Sequence, residues 1–520
     1  KGTTFTSRPD DPYNKVTIES LSGDLQLFDG RMNHNNGWFV LRSNIKPGVT
    51  KGAVKWIITP NVVADWMYQP VIQTSQIGYH PAQDKEAVIE MDIRDNRKET
   101  AQIIRIDADG EKVVKNVTPA NWGKFLRYNY LKVDFTDVKE PGLYKIKYDT
   151  SVSPIFRIDN DVYARGVWQP VLEYFLPVQM CHMRVNEKYR VWHDCCHMDD
   201  AQMAPAHNHI DGYDQKEGLS KFKPGEVVPG VNIGGWHDAG DFDLRIESQA
   251  GESYILALAY EAFHPNLDVT SIDQINRVTE IHQPDGKNDL LQQVENGALT
   301  VVNGYLALGR LYRGIICNDL RQYVLLGDAA AMTDGKIGNE DDRWIFTEDN
   351  PGRELSTAAQ LAAVSRVLKG FNDTLSVHCL DIARKVYAST GSGNNRALFP
   401  KVQAAVELYL TTGEQPYMDF ILDNKELIIK QIGRIGWYTA RVEKQFAQMK
   451  NKKAKAFSTA FRKALTGYEQ ELNKQVQETP YGIPYRPHIW GAGWDIQRFG
   501  FQHYFLTTAY PEIFPKAPVF

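Results

Sequence analysis

Along the first third of the chain hydrophobic and polar positions alternate, and beyond it they fall into a helical rhythm. Ile89, Met91 and Ile93 are separated by Glu90, Asp92 and Arg94, and Leu131, Val133 and Phe135 repeat this period of two, the mark of a strand with one buried face. Asp109-Gly110, between Ile103-Ile104-Arg105-Ile106 and Val113-Val114, is a hairpin-turn signal. Glu140-Pro141-Gly142 introduces another alternating run through Tyr144, Ile146 and Tyr148, with Tyr144 where sandwich domains often place a corner tyrosine. These runs predict an immunoglobulin-like β-sandwich over 70–160. Residues 1–69 hold strand-like pieces, Trp38-Phe39-Val40-Leu41 and Val54-Lys55-Trp56-Ile57-Ile58, and are expected to form a β-rich extension packed on it.

From 163 to 520 the apolar positions recur at three- and four-residue intervals, as in Leu355, Ala358, Leu361, Ala362 and Leu368 and again in Val402, Ala405, Val406 and Tyr409. Similar runs near 248–263, 288–313, 375–388, 416–449, 455–475 and 494–508 predict about ten helices with short connections and no strands between them. The apolar stripes are expected to form core. Lys450, Lys452, Lys453 and Lys455 are expected on a solvated helix face.

Composition narrows the function classes. A chain of 520 residues with net charge −5 and ordinary hydrophobic and charged fractions is expected to form two or three domains with substantial cores. No basic excess suggests nucleic acid, and no apolar run approaches the roughly 20 residues that span a bilayer. No h-region follows Lys1, which reads as the start of a processed or recombinant form and leaves the compartment open. Five cysteines, Cys181, Cys195, Cys196, Cys317 and Cys379, are an odd set with two adjacent, a poor disulfide framework and a better hint of metal.

Two constellations carry chemistry. Gly234-Gly235-Trp236-His237-Asp238-Ala239-Gly240-Asp241 sets two carboxylates three residues apart around an Ala-Gly corner, a way for one loop to present both to a cavity. Glycosidic hydrolysis needs paired carboxylates, one of them to deprotonate water. The plainer reading makes Asp238 and Asp241 the N-cap and first-turn acid of the following helix. The second constellation is Cys181, Cys196-His197 and His237, two thiols and two imidazoles of the kind zinc takes in closed tetrahedral sites. Cys195, His182, His193, His207 and His209 compete for the same role. His237 is favoured by adjacency, since a metal there would fix the loop that carries Asp238 and Asp241.

A β-sandwich entered through Gln73-Thr74-Ser75-Gln76-Ile77-Gly78-Tyr79-His80-Pro81, then Cys181, Cys196-His197 and Gly235-Trp236-His237-Asp238-Ala239-Gly240-Asp241, resembles glycoside hydrolase family 9, in the subgroup with an N-terminal immunoglobulin-like domain. The resemblance covers 70–520. It implies an (α/α)6 barrel with an open cleft, inversion at the anomeric carbon and endo-acting hydrolysis of β-1,4-linked glucans. By position it makes Asp241 the general base and Asp238 a holder of the attacking water. It makes Cys181, Cys196, His197 and His237 the ligands of a structural zinc, with calcium as a second candidate cation. The partner is then a β-glucan polysaccharide or oligosaccharide, in a secreted, periplasmic or cell-surface protein. Trp236, Trp490 and Trp494 are candidates to stack on sugar rings and Arg343 to bond hydroxyls.

One departure stands out. The family's general acid is a glutamate late in the barrel, and no glutamate here matches its context; Asn339-Glu340 has the dipeptide but reads as a surface loop. About ten helices against twelve suggests a barrel lacking its C-terminal helices, a tail of roughly 80 to 100 residues, with a separate C-terminal fragment as a conceivable partner. The alternatives to a hydrolase are a non-catalytic glycan-binding barrel without the acid and a site in which the metal itself is catalytic.

Overall fold

The computed structural model describes residues 1–31, 38–208, 214–215, 218–238, 242–317, 333–339, 341–391, 395–484, 486 and 491–515. They fall into two compact units, Lys1–Gln76 with Ala82–Phe156, and Ile77–Pro81 with Arg157–Phe520.

The first unit is built of strands. Ala120–Phe125, Tyr128–Asp134, Glu86–Asp92 and Val71–Gln73 form one antiparallel sheet in that order, and Ser151–Val152, Gly142–Tyr148, Ala101–Asp107 and Gly110–Val117 form another. The residues that alternate in the sequence point inward: Ile89, Met91, Val133, Ile103 and Ile146 are fully buried. Ala101–Asp107 and Gly110–Val117 pair through Asp107 and Gly110, so the hairpin turns on Ala108-Asp109, one residue before the Asp-Gly signal. The Tyr144 hydroxyl donates to the Glu140 carbonyl at 2.8 Å, the bond of a tyrosine corner. Before residue 70 lie a three-stranded antiparallel sheet, Thr4–Ser7, Val16–Ser20 and Trp56–Pro60, and the pair Gln26–Asp29 with Phe39–Arg42.

The second unit is mainly helical. Its described helices are α1 (Gln169–Gln179), α2 (Ile246–Phe263), α3 (Asp289–Leu308), α4 (Pro351–Leu368), α5 (Asp373–Ser389), α6 (Asn395–Thr412), α7 (Gln415–Asp423), α8 (Lys425–Lys430), α9 (Ile432–Gln448), α10 (Lys452–Gln475) and α11 (Ala492–Ala509). Sequence sets their starts: the Asn350 side chain accepts from the Arg353 N–H at 3.1 Å with Pro351 opening the helix, and Asn288 caps α3 in the same way. Successive helices pack in pairs, α2 on α3, α4 on α5 and α9 on α10, and α4 also lies along α2 and α6. A buried charge network joins four of them. Glu407 of α6, fully buried, receives Arg366 of α4 at 2.8 Å, the Tyr254 hydroxyl of α2 at 2.7 Å and Arg441 of α9. Removing one partner of such a network leaves a buried charge uncompensated, which fixes the arrangement of the helices that meet there.

The expectation of no strands between helices is wrong. Arg190–His193, Arg184–Glu187, Val278–Ile281 and Thr270–Asp273 form a mixed sheet, and Gln202–Met203, Trp344–Phe346, Gly314–Ile316 and Leu244–Arg245 form a second. These strands are two to four residues long. Too short to show a period of two, they are held by long-range pairing, which local pattern does not reveal.

Candidate active site and metal centre

The loop at 234–238 is pinned from both sides. Gly234 and Gly235 have φ of +65° and +87°, and a Cβ would lie 2.2 Å from the Asn296 carbonyl at the first and 2.7 Å from Thr300 Oγ1 at the second. Glycine is therefore required for both the conformation and the approach to α3. Gln249 of α2 clamps the next residue, accepting from the Trp236 N–H at 2.9 Å and donating to its carbonyl at 2.8 Å. The His237 N–H donates to the Gln179 carbonyl at the end of α1, and the Asp238 N–H to the Asp243 carbonyl at 3.0 Å.

On the inner side of this loop Cys181, Cys196, His197 and His237, all buried, bring one donor atom each to within 4.8 Å of the others, a group able to hold a metal ion. Cys181 Sγ lies 3.9 Å from Cys196 Sγ and 3.9 Å from His197 Nδ1, and Cys196 Sγ lies 3.6 Å from His237 Nε2. None of the five cysteines forms a disulfide. Burial, reinforced by the Arg343 charge, pushes His197 down to about 3, and burial also lowers His237, so both rings are held in the neutral form that ligates. Burial opposes ionisation of Cys181, but the Cys196 hydrogen bond and the charges of His182 and Arg343 outweigh it and hold that thiol well below its usual range.

The competing residues lie apart from this group. His182 Nδ1 faces the Gly234 carbonyl at 2.9 Å, His193 Nδ1 the Asp194 carbonyl at 2.9 Å, and Cys195 Sγ the Arg277 carbonyl at 3.8 Å. His207 and His209 lie outside the residues whose side chains are described. Two all-carboxylate groups also gather, Asp199 with Asp200 and Asp342, and Asp199 with Asp334 and Asp341.

On the outer side of the loop is a cavity of about 830 Å³ whose wall is made by Asp238 and by residues of α2, α4, α6, α9 and α11. Asp238 is partly exposed there, with Arg245 Nε 3.2 Å from its carboxylate. Trp494, 69% exposed, lines the same cavity. Glu252 of α2 also faces it, and burial, with the negative Asp238 adding, lifts its carboxyl to about 8. Sequence reasoning missed Glu252; the signal available was an acid at a helix position whose neighbours at three and four residues line the same wall.

Two sugar-contact candidates are corrected. Trp236 is 1% exposed, its indole N–H donates to Gln293 Oε1 at 3.0 Å, and its ring lies so close to α3 that a Cβ on Gly297 would come within 2.4 Å of it. No face is left for a pyranose. Arg343 is fully buried and paired with Asp200 at 2.5 Å; it also donates to the Phe242 carbonyl and, at 3.5 Å, to Cys181 Sγ. Its guanidinium braces the segments around the cysteine–histidine group instead of reaching a ligand. Asp241, Trp490 and Glu340 lie outside the described residues.

A strand-built N-terminal unit is thus followed in the chain by a mainly helical unit with a loop aspartate and an exposed tryptophan on one cavity. The chain belongs to glycosyl hydrolase family 9, whose model matches residues 171–516, and residues 67–153 match the cellulase N-terminal ig-like domain. Among its relatives is the xyloglucan-specific endo-beta-1,4-glucanase BoGH9A of Bacteroides ovatus, 24% identical over 455 residues, which are 81% of this chain and 72% of that protein. In fold the chain is similar to a metagenome-derived family 9 endoglucanase, with a TM-score of 0.63 at 20% identity over 85% of this chain and 80% of that one. AaCel9A in complex with a cellobiose-like isofagomine superposes with a TM-score of 0.60 at 19% identity, over 84% and 78%.

Proposed function

We propose that the protein is an inverting, endo-acting hydrolase of β-1,4-linked glucans, its catalytic domain an (α/α)6 barrel over 163–520 behind an immunoglobulin-like domain at 70–160 and an extension at 1–69. The observation that carries this reading is the cavity of about 830 Å³ with Asp238 in its wall and Trp494 exposed to it. Paired carboxylates and an aromatic platform are what a sugar chain and its attacking water require, and Asp238 with Trp494 supplies one of each to the cavity. Asp241 takes the proton from water and Asp238 holds that water. The names of BoGH9A and of the AaCel9A complex support a β-1,4-glucan as substrate. A polymeric substrate supports a secreted, periplasmic or cell-surface location.

The cysteine–histidine group is proposed as a structural zinc site. Tetrahedral zinc with sulfur at about 2.3 Å and nitrogen at about 2.0 Å sets its ligands about 3.8 Å apart for two sulfurs and about 3.5 Å for sulfur and nitrogen. The spacings of 3.9 Å between the sulfurs and 3.6 Å from Cys196 to His237 lie close to these, and Cys181 to His197, at 3.9 Å, is a few tenths of an ångström longer. Four protein donors complete the coordination, so the ion would supply structure and the reaction would run on carboxylates. Calcium prefers oxygen, and the proposal assigns no ion to the aspartate groups.

The test is depolymerisation of a soluble β-1,4-glucan followed by viscosity, reducing ends and proton NMR. Endo action lowers viscosity faster than reducing ends accumulate, and inversion gives the α anomer first. A first-formed β anomer overturns inversion, and failure to cleave any β-1,4-glucan overturns the hydrolase reading.

A further inference from the structure

Asp238 is held at its backbone and at its side chain, and both holds run through Asp243. Its N–H donates to the Asp243 carbonyl at 3.0 Å. Its carboxylate Oδ2 lies 3.2 Å from Arg245 Nε, which donates to Asp243 Oδ2 at 3.1 Å. Asp243 is fully buried, and its other oxygen accepts the Cys317 N–H at 2.7 Å. The base of Arg245 is fixed as well. Leu244–Arg245 pairs with Gly314–Ile316 so closely that a Cβ on Gly314 would lie 2.6 Å from the Leu244 carbonyl and 3.1 Å from Arg245 Cα, and the next residue, Ile246, opens α2. Among the described residues Asp238 belongs to the cavity wall and Arg245 does not. The guanidinium thus stands behind a wall carboxylate, anchored to a buried acid, and bears on a ligand through Asp238.

We propose that Arg245 is a positioning residue of the cleft, holding the Asp238 carboxylate in one orientation so that Asp238 keeps the attacking water in place. The assignment rests on the hydrolase reading. A carboxylate on a loop can turn about its side-chain torsions, and a water bonded to it turns with it. A charged contact to a group that is itself tied to the interior removes that freedom. The alignment matters because a displacement of about 1 Å at the reacting atoms lowers a rate on the order of 10²-fold. Arg245 suits the task better than a lysine would, since a planar guanidinium fixes direction as well as charge where an ammonium supplies a point charge alone.

The experiment measures wild type, Arg245→Met, Arg245→Gln, Arg245→Lys, Asp238→Asn and the double variant Arg245→Met with Asp238→Asn on a soluble β-1,4-glucan and on a dinitrophenyl β-cellobioside, whose leaving group departs without a proton. Arg245→Met should lower kcat by about 10²-fold on both substrates, because the attacking water is common to the two, while KM and oligosaccharide affinity by calorimetry match wild type. Arg245→Gln, which keeps a donor for the buried Asp243, should lose as much and takes the place of Arg245→Met if that variant does not fold. Arg245→Lys should recover part of the loss. In the Asp238→Asn background, loss of the guanidinium should change kcat by no more than about threefold, since no carboxylate is left to orient. Wild-type kcat in a folded neutral variant, or losses that multiply in the double variant, overturns the assignment while leaving the hydrolase reading intact. A wild type that turns over neither substrate overturns both.

Discussion

His237 and Asp238 are neighbours in the chain with opposite surroundings. His237 is 3% exposed, ringed by two cysteines and a second histidine, with Arg343 and Asp200 locked behind them. Asp238 looks into a cavity of about 830 Å³ walled by five helices. Behind the loop, polar groups are buried and packed against one another. In front of it, carboxyl groups and an aromatic ring remain open to a ligand. A reactive group must stay accessible and still be held in register, and a loop with one face bonded into the interior meets both needs.

Substitutions on either side should therefore separate activity from stability. The largest effect is expected from Asp241→Ala, which should lower kcat on a β-1,4-glucan by about 10³-fold or more with the melting curve unchanged; near-normal turnover would remove the residue from the mechanism. Behind the loop, Cys196→Ser should abolish binding of one zinc equivalent and cost on the order of 4 kcal/mol of stability, with activity falling only as a consequence. Equal zinc content and equal melting temperature in the two proteins would show that the four residues are ordinary core. Arg343→Met should cost about 3–5 kcal/mol by stranding Asp200, a fully buried acid, and Arg343→Met with Asp200→Asn should recover part of that loss. Unaltered oligosaccharide affinity in the folded double variant would agree with a bracing role, and a large change in affinity would not. The smallest effect belongs to the tryptophans: Trp494→Ala should weaken oligosaccharide binding by about 1 kcal/mol, or roughly fivefold, without lowering stability, and Trp236→Phe should do the reverse through the lost bond to Gln293.

This contrast also explains what could be read from the chain. The cysteine–histidine group was legible because few roles demand those side chains together, and Tyr144 because its corner follows from local turn chemistry. Trp236 and Arg343 were misread because residue type does not tell which side of a loop a side chain faces: a tryptophan beside a histidine and aspartate suggests a sugar platform, yet Gly297 on a distant helix makes the space that buries it. Glu252 escaped notice for a related reason. An acid in an amphipathic helix ordinarily faces solvent, and the pattern of α2 does not tell that one of its faces lines a cavity. The strands at 202–203, 244–245, 314–316 and 344–346 were illegible because two or three residues show no period, and they are what bring Arg343 beside Cys181.

The double bond pair between Gln249 and the Trp236 backbone has a further consequence. Asp238 stands two residues beyond Trp236, so the clamp ties the loop that carries it to α2, whose Glu252 lines the same cavity. A ligand entering the cavity would meet Asp238 on a loop already tied to α2.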